Sequence, residues 1–448
     1  GAEGEIKYLW LGKNGIEKII FLGLGEKTKW KPWKNQLVWR KIIRFAKSEK
    51  IQEFAVSLKE YFGQDKKESA KIMAINFIMA DFEFNKYKKT PAKGWPEIKN
   101  ISVASSKEDS EKIRRGIAEG IIIGEETNAC RILANTPGGD ITPVKLAEES
   151  ARVARQNKIS VKILDEKEMV KIGMGGILGV NRGSVEKPRF IILEYKNGPK
   201  TQKPLALVGK GVTFDTGGLS LKPEQYMYEM HMDMSGGAAV IHGMAAIARL
   251  KLPINAVGLI PNVENMPSGS SFRPGDILKS LSGKTIEVLN TDAEGRIILA
   301  DALTYSLRYK PGFILDLATL TGAAHVALGN YCSALFTNKG KLQNKLMEIG
   351  FSSGDYVWPL PLWEEYLSEI KGTFADLSNV AKSDRYGGAT HGAKFLEQFV
   401  EDTPWAHLDI APKMTTIDSE FLAKGASGVG VRYIVELAKN WISGSLGI

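Results

Sequence analysis

TIEVLNTDAEGRIILADALTYSLRYKPGFILDLATL, residues 285–320, carries the element order on which the fold turns. TIEVLN (285–290) reads as a strand. GRIILADALTYSLRYK (295–310) repeats apolar residues every three or four positions and reads as a helix. FILDLATL (313–320) is an apolar run of strand length. Strand, helix and strand in succession form the repeating unit of a parallel sheet.

The same alternation extends on the N-terminal side. PVKLAEESARVARQ (143–156) and GGAAVIHGMAAIARL (236–250) read as helices. SVKILD (160–165), FIILEY (190–195), PLALVGKG (204–211) and INAVGLIPN (254–262) read as strands. Continuous apolar strands between helices imply a mostly parallel sheet covered on both faces. Ligands of such sheets bind beyond the carboxyl ends of the strands. Upstream, SSKEDSEKIRRGIAEGIIIGEETNACRIL (105–133) has early acids, helical spacing, and Ser106 or Ser110 available as a cap. The expected organisation is α/β in two domains. A smaller N-terminal α/β domain (1–105) is joined by a linker helix (106–130) to a C-terminal α/β catalytic domain (131–448) with a mostly parallel central sheet. Within the first, KIIFLGLG (18–25) reads as a strand, QLVWRKIIRFAKSEK (36–50) as a helix and KTPAKGWPEIKN (89–100) as a loop. KIMAINFIMADFEF (71–84) suits either strand or helix.

A chain of 448 residues exceeds one compact domain. With 43% apolar and 25% charged residues, its composition excludes collagen-like, low-complexity and wholly disordered chains. No apolar run approaches the roughly 18 residues of a membrane span, so no membrane partner is expected. Cys130 and Cys332 are the only cysteines, which excludes a disulfide framework and a four-cysteine zinc site. A reducing, cytoplasmic location is the simplest expectation. The net charge of +9 is uneven: residues 1–100 hold 21 basic and 12 acidic side chains, and the remaining 348 residues hold 39 of each. From Lys27 to Lys50 the basic residues interleave with Trp30, Trp33 and Trp39. That pattern suits either nucleic acid bound by the basic N-terminal domain or a Lys-rich surface over core tryptophans, and no nucleic-acid motif accompanies it.

Polar residues gather at three predicted strand ends. VGKGVTFDTGGLSLKP (208–223) holds Lys210, Asp215 and Lys222; EMHMDMSGGAAV (229–240) holds Asp233; NTDAEGR (290–296) holds Asp292, Glu294 and Arg296. No HExxH is present among the five histidines (His231, His242, His325, His391, His407), and no GxSxG. Singly, Asp233 and Asp292 read as helix caps, and Lys210 as a surface lysine. Together, four carboxylates at one rim would repel unless neutralised. Divalent cations do this, and oxygen-rich ligation suits a pair of them.

NTDAEGR, with VGKGVTFDTGG (208–218), SLKP (220–223) and DM (233–234), resembles the leucyl (cytosol) aminopeptidase family. NACRILANTPGGDITP (128–143), DLATLTGAA (316–324) and WAHLDIAP (405–412) are similar to further family segments. The resemblance implies a metal-dependent aminopeptidase releasing N-terminal residues, preferably Leu- or Met-like, from peptides through a water activated by two metals. By resemblance, Lys210, Asp215, Asp233 and Glu294 hold one metal, and Asp215, Asp292 and Glu294 the other. Lys222 and Arg296 are catalytic, with Arg296 holding bicarbonate. The substrate pocket is Met230, Thr319, Gly322, Ala411 and Met414. Zn or Mn is expected, with Mg and Co also suited, in a homohexamer. His231, His391 and Pro412 depart from the family's pattern. Pro412 adjoins the pocket wall, so it bears on substrate preference. The rival readings are a binding or regulatory protein using residues 1–105, and a homologue that has lost catalysis, which the complete ligand set opposes.

Overall fold

The computed structural model describes residues 1–13, 16–26, 29, 34–58, 65–382 and 386–447. Trp30 and Trp33 lie outside the described residues; Trp39 is buried. The chain divides into two compact units, 1–125 with 417–424, and 126–416 with 425–448. The division falls inside one long helix, Ser110–Asn135.

In the first unit, strands Ile6–Lys13 and Ile16–Leu22 form an antiparallel hairpin, and Glu53–Ser57 pairs in parallel with Asn100–Ala104. Helix Lys34–Ser48 packs on helix Lys66–Asp81, where Trp39 meets Phe77 edge-on at 5.6 Å. KIMAINFIMADFEF is therefore a helix as far as Asp81. Asp65 caps it by accepting from the Lys67 and Glu68 amides, and Ala, Met and Ile bury around its circumference. The sequence reading did not identify the strands Ile6–Lys13, Glu53–Ser57 and Asn100–Ala104.

The second unit is built on a nine-stranded mixed, mostly parallel sheet. Across it run Val357–Pro359, Ser333–Thr337, Trp405–Asp409, Phe313–Ala318, Leu205–Gly209, Asn255–Asn265, Arg189–Lys196 and Ser160–Leu164. Gly211–Asp215 pairs in parallel with the far end of Asn255–Asn265. The centre is parallel throughout, from Trp405–Asp409 to Asn255–Asn265. Every residue of Leu205–Gly209 and Phe313–Ala318 is buried, as the uninterrupted apolar runs require. Helices Ser235–Arg249 and Gly295–Ser306 cover opposite faces, each belonging to a separate apolar cluster. A Cβ at Gly236 would stand 2.1 Å from the Leu317 carbonyl oxygen, so glycine is what lets the first helix begin against the sheet.

One element of the opening stretch is placed differently from the sequence expectation. Its first strand is only Thr285–Glu287, and it lies outside the central sheet. It pairs antiparallel with Ile277–Lys279 and parallel with Leu377–Ser378. The reason is local: Gly283, at φ +88°, makes a tight turn that folds the segment back on its predecessor. Asp292 and Glu294 still reach the site, because the helix that follows packs on the central sheet.

Candidate metal centre

Five parts of the fold deliver the site at the carboxyl ends of the parallel strands. Lys210 interrupts the chain between Leu205–Gly209 and Gly211–Asp215, and Asp215 ends the latter. Asp233 closes the short 3-10 turn Met230–Met232. Thr319 follows Phe313–Ala318. Asp292 and Glu294 precede helix Gly295–Ser306, and Arg296 lies in its first turn. Neither this helix nor Ser235–Arg249 has a side-chain cap hydrogen bond, so the carboxylates are not spent on capping. Gly295 makes room for Lys210: a Cβ there would stand 2.8 Å from the lysine Cε and Nζ.

Lys210 Nζ lies 2.7 Å from Asp233 Oδ2 and 2.8 Å from Glu294 Oε1, and donates to the Thr319 carbonyl at 2.9 Å. Lys222 Nζ is 2.9 Å from Asp215 Oδ2 and contacts Asp292 Oδ1. Carboxylate oxygens of Asp215, Asp292 and Glu294 all fall within 4.8 Å of one another, the compass of one cation. Asp233 Oδ2, Asp292 Oδ1 and Glu294 Oε1 are buried, face lysine ammoniums and accept no hydrogen bond of good geometry. Four carboxylates thus share two ammoniums. Burial and mutual repulsion both raise the carboxylate pKa values. Burial, then Asp215, pushes Asp292 up to about 7. Glu294 is raised by burial and Asp215, and Asp233 by burial with Glu294 and Asp215 beyond what Lys210 offsets. Burial opposes the charge on Lys210, but Asp233, Glu294 and Asp215 outweigh it and hold the ammonium above the usual lysine range. The donor chemistry fits divalent cations, since such ions would neutralise the surplus negative charge. A lysine can ligate only as the neutral amine, so metal at Lys210 has to displace its proton.

Of the residues expected to form the substrate pocket, Met230 and Met414 are half-buried, and a Cβ on Gly322 would meet nothing within 4 Å. Helix Gly322–Leu328 packs on the turn Ala411–Lys413. The Thr319 hydroxyl is directed to the ligand set, donating to Asp233 Oδ1 at 2.6 Å. Arg296 Nη1 donates to the Asn379 carbonyl at 2.8 Å, and Gly392 lies against its other terminal nitrogen. His391 is buried, 2.9 Å from Glu369; Pro412 is buried within its 3-10 turn.

The catalytic-domain description of the cytosol aminopeptidase family matches residues 128–435, and its N-terminal-domain description matches residues 1–91. This chain belongs to the cytosol aminopeptidase family. A probable cytosol aminopeptidase of Roseiflexus castenholzii is 42% identical over 95% of this chain and 87% of its own length. One of Chlorobaculum tepidum is 41% identical over 98% and 90%. A solved structure, the bottromycin maturation enzyme BotP in complex with Mn, superimposes with a TM-score of 0.88 at 31% identity, covering 97% of this chain and 93% of BotP. Membership in the cytosol aminopeptidase family makes the chain a metal-dependent aminopeptidase, a hydrolase, on an α/β scaffold.

Four residues around the site were given no role by the sequence reading, although Thr291 lies within NTDAEGR and Asp409 within WAHLDIAP. Asn265, opposite Asp215 in the sheet register, donates from Nδ2 to Asp215 Oδ1 at 2.8 Å. The Thr291 hydroxyl donates to the Gly217 carbonyl at 2.6 Å and accepts from the Ser220 amide at 2.8 Å, tying two ligand loops together. Asp409 accepts from the Thr321 hydroxyl at 2.6 Å and from the Leu320 and Ala411 amides, tying the segment after Phe313–Ala318 to the one after Trp405–Asp409. Asn379 braces the Asp292 turn. The available signal was placement: Asn265 and Asp409 are the last residues of their strands.

Proposed function

We propose that the chain releases N-terminal residues, Leu- or Met-like by preference, from peptides, using two divalent cations. The observation that carries this reading is the convergence of four carboxylates, Asp215, Asp233 and Glu294 among them buried, on a space where two ammoniums, Lys210 and Lys222, are paired with them. Lys210, Asp215, Asp233 and Glu294 hold one cation; Asp215, Asp292 and Glu294 hold the other. Manganese or zinc suits the set, with magnesium and cobalt next, and the BotP structure is described as a complex with Mn. Bound there, the cations supply a water of lowered pKa and a Lewis acid for the scissile carbonyl.

The chain's own residues do the rest. Asn265 and Thr319 fix the rotation of Asp215 and Asp233 through their hydrogen bonds. Lys222, whose ammonium lies beside Asp215 and Asp292, would stabilise the oxyanion that develops on the scissile carbonyl. Arg296 holds a bicarbonate for proton transfer, in a space that a side chain at Gly392 would crowd. Met230, Thr319, Gly322, Ala411 and Met414 form the pocket for the first side chain. Assembly as a homohexamer belongs to the same reading.

The test is hydrolysis of a leucine-based chromogenic amide with added Mn or Zn, with and without chelator, beside an Asp292→Ala/Glu294→Ala variant. Metal-dependent turnover that the variant lacks is the expected result. No turnover with any of these metals, across a panel of N-terminal residues, would overturn the reading.

A further inference from the structure

Asn379 is a fully buried polar residue that lies among the residues of the site without being one of its ligands. It follows the two-residue strand Leu377–Ser378, which pairs with Thr285–Glu287, and its amide extends that ladder to the Glu287 carbonyl at 3.0 Å. From this anchor its side chain spans the turn that carries Asp292. Oδ1 accepts from the Leu289 amide at 2.8 Å and the Asn290 amide at 3.4 Å. Nδ2 donates to the Asn290 carbonyl at 2.6 Å and the Ala293 carbonyl at 3.3 Å. Two donors and two acceptor sites are all that a carboxamide has, and each is engaged with the turn's main chain. The main-chain carbonyl of the same residue takes the hydrogen bond from Arg296 Nη1 at 2.8 Å.

We propose that Asn379 is a positioning residue that holds the metal-ligand turn and the Arg296 guanidinium in one fixed relation. Its side chain sets the turn from Leu289 to Ala293, hence the carboxylate of Asp292. Its carbonyl sets Arg296, two residues beyond Glu294. The chemistry admits no ordinary substitute. Aspartate keeps the acceptors but sets oxygen against two carbonyls, and an apolar residue takes the side-chain partner from four part-buried main-chain groups of the turn. Loss of Asn379 therefore weakens metal binding and misplaces Arg296 together, while the pocket for the first side chain is untouched. The role of Arg296 rests on the aminopeptidase reading; the effect on metal binding does not.

The experiment compares full-length parent with Asn379→Ala and Asn379→Asp. Mn²⁺ binding to the metal-free proteins is read from the electron paramagnetic resonance signal of free Mn²⁺, and hydrolysis is measured at saturating Mn²⁺ over a range of bicarbonate. The expected result for Asn379→Ala is Mn²⁺ affinity and kcat each lower by about 10–100-fold, with KM changed by less than about twofold. Added bicarbonate should recover part of the lost kcat. Mn²⁺ affinity and kcat both close to the parent's, in a variant with a cooperative melt, would overturn the proposal. So would failure of both variants to fold, which would make Asn379 a folding residue. A parent inactive with every metal would instead sink the aminopeptidase reading and leave the Mn²⁺ comparison to decide the positioning role.

Discussion

Two groups of buried charges sit in the catalytic unit and are treated oppositely by their surroundings. In the first, Asp316 and His407 face each other across adjacent parallel strands. Asp316 Oδ1 lies 2.5 Å from His407 Nδ1, and Oδ2 accepts from the Trp405 indole at 2.6 Å. The imidazole stacks between Phe336 and Trp405. The carboxylate has two donors within the protein, while the far ring nitrogen of His407, Nε2, is buried without a hydrogen-bond partner among the described residues. In the second, at the carboxyl-end rim of the same sheet, four carboxylates share two lysine ammoniums. Folding would not assemble such surplus charge for its own sake. The first group belongs to the stability of the sheet; the second is complete only with something added.

Single substitutions separate the two. Glu294→Gln removes one of the surplus charges. Metal-dependent hydrolysis should fall by about three orders of magnitude, near 4 kcal/mol, while the urea midpoint of the metal-free protein stays level or rises. A fall in that midpoint would mean that the carboxylates are already balanced by the protein. Asp316→Asn strips a buried imidazole of its partner and should cost about 3–5 kcal/mol of stability. Folded Asp316→Asn should keep the parent's Mn²⁺ affinity. Equal losses of stability from both variants would erase the distinction.

Next in size is Thr319→Val, which removes the donor to Asp233 Oδ1 without changing the side chain's shape. Mn²⁺ affinity, measured by titration calorimetry, should drop by about 10–100-fold. An unchanged affinity would leave Thr319 with the pocket alone. Metal should also stabilise the parent by about 2.7 kcal/mol at a hundred times its Kd, seen as a rise in Tm that chelator reverses.

The convergence of Lys210, Asp215, Lys222, Asp233, Asp292 and Glu294 was legible because its chemistry is unusual in composition. Lysines and acids crowd strand ends otherwise made of apolar runs, and NTDAEGR and VGKGVTFDTGG bring the family with them. The central strands were legible because burial on both faces leaves no alternation to confuse. Thr285–Glu287 was misassigned to that sheet because a three-residue strand carries no mark of its partner, and its turn at Gly283 decides the pairing. Asn265, Asn379 and Asp409 were hidden for a related reason. Each acts through main-chain groups or another side chain brought near only by folding, 50 residues away for Asn265 and Asp215 and 89 for Asn379 and Asn290. In the N-terminal unit, short strands with mixed faces gave weak period-two signals, so the hairpin's first strand and the Glu53–Ser57 pair went unread.

The subtlest difference between the two charge groups lies in pH. Burial works against a charged His407, but Asp316, joined by Asp409, outweighs both burial and Arg296 and holds its pKa above the usual histidine range. The folded protein therefore binds this proton more tightly than the unfolded chain. The resulting stability is fully present below the unfolded pKa of about 6.5 and is lost as pH rises through the folded value. Urea midpoints of the metal-free parent should fall across that interval relative to those of His407→Gln, which has no proton to lose. The gap between the two proteins should be widest at the acid end and should close as the imidazole is neutralised. Parallel curves would show that Asp316 holds a neutral ring throughout. The pair would then be a hydrogen bond rather than a charge pair, and the contrast with the metal centre would rest on geometry alone.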